Sequence, residues 1–140
     1  MGSIKNIESP AAQRNRLISL IFKCIERVQE EINEEEEIQD LLACIILCLI
    51  GIEKTLSATT MPWEKRDYWL KVEHFNKEWD WVSKLRDELE SNYIYGNYAA
   101  SDNLLAHLKE ILGRMKIVKI KADKFWMGCG EKYRIKKGCG

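Results

Sequence analysis

Between Asp40 and Glu53 the chain runs for twelve residues, Leu41-Leu-Ala-Cys-Ile-Ile-Leu-Cys-Leu-Ile-Gly-Ile52, with no charged side chain. A segment apolar almost all round belongs inside a bundle, or between a bundle and a second subunit, because it has no wet face to turn outward. The run is shorter than the roughly 20 apolar residues that span a bilayer, so no membrane partner is expected. Acids at Glu34–Glu37 precede it, where negative charge complements a helix N-terminus and stays solvated. This second helix is expected over about 34–56.

The other helices follow from periodicity. Ser9-Pro10 reads as a cap with proline at the first helical position, and Leu17, Ile18, Ile21, Ile25, Val28 and Ile32 recur at helical spacing, predicting a helix over about 10–31. Thr59-Thr-Met-Pro62 looks like another cap with an early proline, so a third helix is expected over about 61–89. Gly96-Asn97 marks a turn. A fourth helix over about 102–118 opens at Ser101 or Asp102 and carries Leu104, Leu105, Leu108, Ile111, Leu112, Met115 and Val118 on one stripe, bordered by His107.

Four amphipathic helices with short connections predict an all-α, single-domain, antiparallel four-helix bundle over 1–118. Residues 119–140 read as an irregular basic tail, with Tyr133-Arg-Ile-Lys136 as a short strand of a β-hairpin or simply extended. At 140 residues and 46% hydrophobic, one compact core is expected.

The third helix is where the sequence is unusual. Residues 61–81 hold four of the five tryptophans. On a helical wheel Tyr68, Val72, Phe75, Trp79, Val82 and Leu89 form one stripe, expected to face the core. Trp63, Leu70, His74 and Trp81 form a second cluster, bordered by Arg66 and Lys77. Exposed Trp and flanking Arg dominate binding hot spots, so these six residues are the expected partner-binding surface, with a homodimer as the simplest use. The bland alternative is that the tail or the Tyr93–Tyr98 loop covers the second cluster.

Charge is balanced overall, 22 basic against 22 acidic residues, but not along the chain. Residues 26–40 carry eight acids and one base, whereas 114–140 carry nine bases against Asp123 and Glu131. In the tail, Lys119, Lys121, Lys124, Lys132, Arg134, Lys136 and Lys137 interleave with Phe125, Trp126 and Tyr133. That mixture tracks phosphates and stacks bases, giving RNA or single-stranded DNA as the alternative partner. Docking on the acidic 26–40 stretch would use the same charges internally.

Five cysteines, three of them in apolar helical pattern (Cys24, Cys44, Cys48), suit reduced thiols in a cytoplasm. Cys129 and Cys139 each stand between glycines, but two ligands are half a metal site, and no cofactor is expected. No nucleophile, acid or base stands at a motif spacing to His74 or His107. The Arg66…His74 spacing also departs from the arginine–histidine pair of HEPN-type ribonuclease bundles. The expected function is therefore a non-enzymatic helical interaction or adaptor protein.

Overall fold

The computed structural model describes residues 8–30 and 34–137, which are all-helical with no strand among them. The elements are α1 (Pro10–Val28), α2 (Glu35–Lys65), α3 (Trp69–Trp79), α4 (Trp81–Ile94), a 3-10 turn (Tyr98–Ser101), α5 (Asp102–Leu112) and α6 (Cys129–Lys136). The first helix starts as the sequence predicts: Ser9 Oγ accepts the Ala12 N–H at 3.1 Å, with Pro10 in the first turn. Ile32, expected on its apolar stripe, lies outside the described residues.

The apolar run becomes the axis of the molecule. α1, α3, α4 and α6 all pack on α2, while α5 packs on α1 and α4. Leu41, Ile45, Ile46, Leu49 and Ile52 are fully enclosed, against Ile18, Ile21 and Ile25 of α1 and with Val82, Leu89, Leu108 and Leu112 in the same core. Each such side chain contributes on the order of 1.5–3 kcal/mol by leaving water. At 31 residues, with a mean hydropathy of 2.0 over its most apolar stretch, α2 as a whole is by length and composition long and apolar enough to cross a membrane, although its uncharged run of twelve residues by itself is not. A buried core helix passes the same test.

The helix boundaries in the middle of the chain differ from expectation. The Thr59-Thr60 pair does not cap a new helix, because its hydroxyls are used inside α2. Thr59 Oγ1 donates to the Thr55 carbonyl at 2.8 Å and Thr55 Oγ1 to that of Ile52 at 2.7 Å, the back-bonding by which a threonine inside a helix satisfies its hydroxyl. Pro62 is carried within the helix. α2 ends instead at Arg66-Asp67-Tyr68, where Tyr68 N–H bonds the Trp63 carbonyl at 2.9 Å and Asp67 N–H that of Glu64 at 3.1 Å. These are the paired bonds of a Schellman stop, with Asp67 at φ 61 in the left-handed position usually held by glycine. The expected third helix is thus divided among three elements: the last turn of α2, then α3, then α4 after an interruption at Asp80.

α4 stops by the same device at Gly96 (φ 71), with Asn97 N–H on the Asn92 carbonyl at 2.9 Å, so the turn falls where the sequence placed it. α5 ends at Leu112, earlier than expected, because the chain leaves the helix at Gly113. It then extends to Val118, whose N–H bonds Ser19 Oγ at 2.8 Å.

The tail is the larger correction. Residues 129–136, read as strand or irregular, form α6, whose N-terminal turn is held by one carboxylate. Asp40 Oδ2 accepts Gly128 N–H at 3.1 Å and Oδ1 accepts Gly130 N–H at 2.9 Å. Gly128 sits at φ 82, and a Cβ on Gly130 would lie 2.9 Å from Asp40 Oδ1. The Gly-Cys-Gly sequence is therefore explained by backbone geometry at a helix start.

Candidate functional site

The six residues expected to form a partner surface are not one patch. Trp63 is on α2, half-buried, edge-on to Phe75 with centroids 5.4 Å apart, and beneath the Lys71 ammonium at 4.4 Å. Trp81 opens α4 and stacks on Trp79 at 5.8 Å. Both are the ends of a single aromatic row, Trp63–Phe75–Trp79–Trp81. The helix break at 66–68 resets the wheel angle between Trp63 and α3, which is why the expected cluster comes apart.

That row covers a residue the sequence reading missed. The Arg14 guanidinium, 8% exposed, lies 5.3 Å from the Phe75 ring centre and 5.1 Å from that of Trp79. Its Nη1 donates to Thr55 Oγ1 and Thr59 Oγ1, each at 3.2 Å. Burial pulls its pKa down, partly offset by the field of Glu78. A charged residue on an otherwise apolar α1 face was the available signal, but no sequence rule places aromatic rings above it.

What remains free is the outer side of α3 and the elbow before it. Leu70 is 77% exposed, Trp69 58%, Met61 53% and Tyr68 50%; Tyr68 was expected in the core, and Trp69 was in neither stripe. His74 and Lys77 are exposed on the same side as Leu70, Arg66 is exposed in the turn, and Lys77 pairs with Glu73 at 3.4 Å. On the inner side Val72 is buried and Phe75 and Trp79 are half-buried. An open cleft of about 680 Å³ runs beside α3, lined by Glu64, Trp69, Val72, Glu73, Asn76, Lys77 and Asp80.

Searches of family models, curated proteins and solved structures find no match to this chain.

The basic tail does not present a stacking surface. Trp126 (5% exposed) and Tyr133 (3%) face inward; Tyr133 is edge-on to Tyr93 at 5.2 Å and donates its hydroxyl to Glu90 at 2.6 Å. Neither ring is available to a base. Lys119, Lys121, Lys124, Lys132, Arg134 and Lys136 are exposed, and Lys137 pairs with Glu90 at 2.9 Å. Glu90 is buried, which pushes its carboxyl up, but hydrogen bonds from Tyr133, Lys137 and Arg86 outweigh this and hold it below the usual range. Tail and acidic stretch do meet, through Asp40 as described and through Lys124, whose charge acts on Glu37.

Cys129 is buried, and Cys139 lies outside the described residues. Hydrogen bonding with Cys44, reinforced by burial, pushes the thiols of Cys24 and Cys129 far up. Among the described residues no three His, Cys, Asp or Glu side chains are grouped to hold a metal. A second cleft of about 340 Å³ between α1 and the tail mixes Lys23, Arg27 and Lys124 with Glu26, Glu30, Glu37 and Asp123. Arg27 is engaged by Glu30 and Glu37, so this cleft offers no field of one sign to a charged ligand.

Proposed function

We propose that this chain acts by binding, as a non-enzymatic helical interaction or adaptor protein that pairs with a second copy through α3. The observation that carries the reading is the exposure of Tyr68, Trp69 and Leu70 on consecutive positions, with Met61 of α2 exposed as well, beside a core that encloses the apolar run of α2. Aromatic side chains left in water at a helix start are the kind that anchor interfaces, and two-fold pairs are the commonest assembly. The antiparallel arrangement of α1, α2, the α3–α4 pair and α5, with α6 as a clip, belongs to the same reading and leaves the outer face of α3 without a neighbour among the described residues. The free thiols Cys24, Cys44, Cys48 and Cys129 support a reducing compartment such as the cytoplasm.

Sedimentation of the full chain tests it. The wild type should run at twice the chain mass at micromolar concentration, and Leu70→Glu should weaken pairing by about 30-fold or more, the equivalent of about 2 kcal/mol for one lost leucine anchor. Circular dichroism of the variant should be unchanged, because Leu70 is 77% exposed. A wild type that stays monomeric up to about 100 micromolar, a concentration typical of roughly 5 kcal/mol of binding, would refute self-pairing.

A further inference from the structure

The charges on and around α3 are segregated along its length. Residues 65–71 carry Lys65, Arg66 and Lys71 against Asp67, whereas residues 73–80 carry Glu73, Glu78 and Asp80 against Lys77. Lys71 lies over the Trp63 ring and Glu78 acts on buried Arg14, so both turn away from the outer face, which leaves one end net positive by one and the other net negative by one. Trp69, Leu70, Glu73 and Lys77 fall within about 100° of helix, opposite the inward Val72, Phe75 and Trp79. The open cleft lies beside this face, with Val72 and Trp69 in its lining and Glu64 and Asp80 among its polar edges.

In a two-fold pair the same patch meets itself, so the direction of the axis decides which charges meet. A parallel arrangement sets Lys65 and Arg66 against their own copies, and Asp80 against its own, which is repulsive at both ends. An antiparallel arrangement sets the positive end of each helix against the negative end of the other. The midpoint between Arg66 and Asp80 is residue 73, so the axis passes near Glu73, where the Lys77 ammonium at 3.4 Å keeps the centre neutral. It also lets Leu70 of each copy reach toward the cleft edge of the other. We infer that α3 pairs antiparallel with α3 of a second copy about a two-fold axis near Glu73, with Arg66 of each chain facing Asp80 of the other. This rests on the self-pairing reading and adds its direction and register.

Charge reversal separates the two levels. Arg66→Glu and Asp80→Lys should each weaken the homodimer by about tenfold, because two surface ion pairs become like-charge contacts in each case. Mixing the two variants, one tagged, should restore a heterodimer of wild-type affinity, since the introduced carboxylate of one then faces the introduced ammonium of the other while the second pair is native. As a second measurement, Glu73→Cys in a Cys139→Ser background should link to its own copy under diamide, whereas Glu88→Cys should not; the described native thiols are buried. A wild-type dimer whose variants show no rescue on mixing, or in which Glu73→Cys does not link, overturns the antiparallel register while leaving self-pairing intact. A monomeric wild type overturns both, and the exposed face then serves a different partner.

Discussion

Tyr133→Phe isolates the hydrogen bond that ties α6 to α4. The Tyr133 hydroxyl donates to Glu90 Oε2 at 2.6 Å, and Glu90 also takes Lys137 at 2.9 Å and Arg86. Phenylalanine keeps the ring edge-on to Tyr93, 5.2 Å away, so the ring packing is preserved while the bond to a buried carboxylate is removed. Bonds to charged groups contribute about 1.5–3 kcal/mol, and the two remaining cations keep the cost near the lower end, about 1.5–2 kcal/mol at pH 7. For a chain of this length each kcal/mol moves the melting temperature by about 4 °C, so a drop of about 6–8 °C is expected. Thermal unfolding followed by far-ultraviolet circular dichroism measures the drop, and urea unfolding measures the free-energy cost. The pH dependence gives a second check. Glu90 has a depressed folded pKa, so its stabilisation is complete above the unfolded value, about 4.3, and is lost as pH falls through the folded one. The difference between wild type and variant should therefore shrink only below about pH 4.3, as pH falls from the unfolded value through the lower folded one. A cost below about 0.5 kcal/mol at neutral pH, or a difference that persists undiminished in acid, would refute the charged-bond account.

Two further outcomes test the tail and the thiols. Gly130→Ala places a Cβ 2.9 Å from Asp40 Oδ1 and should cost about 1–3 kcal/mol with faster amide exchange confined to α6, whereas Gly128→Ala, at φ 82 with nothing within 4 Å, should cost about 1 kcal/mol by backbone strain alone. Equal costs, or exchange spread over α1 and α2, would contradict the Asp40 clamp. Cys24 and Cys129, buried and with thiols pushed up, should resist iodoacetamide at about pH 7.5 in the folded protein and react when it is unfolded in guanidinium; mass spectrometry reads the difference, and rapid native labelling of either would count against their placement.

The helical class was legible in the sequence because apolar spacing is a local property. Pro10 after Ser9, the run from Leu41 to Ile52 and the Gly96 turn each announce themselves within a few residues and are used as read, whereas the stripe read from Leu104 to Val118 is helical only as far as Leu112. The failures share a cause: a local signal with two physical uses. Thr59-Thr60-Met61-Pro62 has the composition of a cap, yet its first hydroxyl bonds back into α2 and receives Arg14 from forty-five residues away. The true stop has aspartate in place of glycine at its left-handed position, so nothing in the residue types marks it. Moving that boundary changes every wheel angle that crosses it, which is how Trp63 and Trp81 passed from a supposed surface into an aromatic row over Arg14. Likewise Gly-Cys-Gly and the tail's Trp126 and Tyr133 read as ligand chemistry in isolation. Asp40 and Glu90, distant in sequence, supply the acceptors that turn them into a docked helix. Periodicity alone determined that this chain is helical with α2 buried; which aromatic rings face water was decided by long-range hydrogen bonds and a single φ angle, because burial depends on what the rest of the chain brings to the same place.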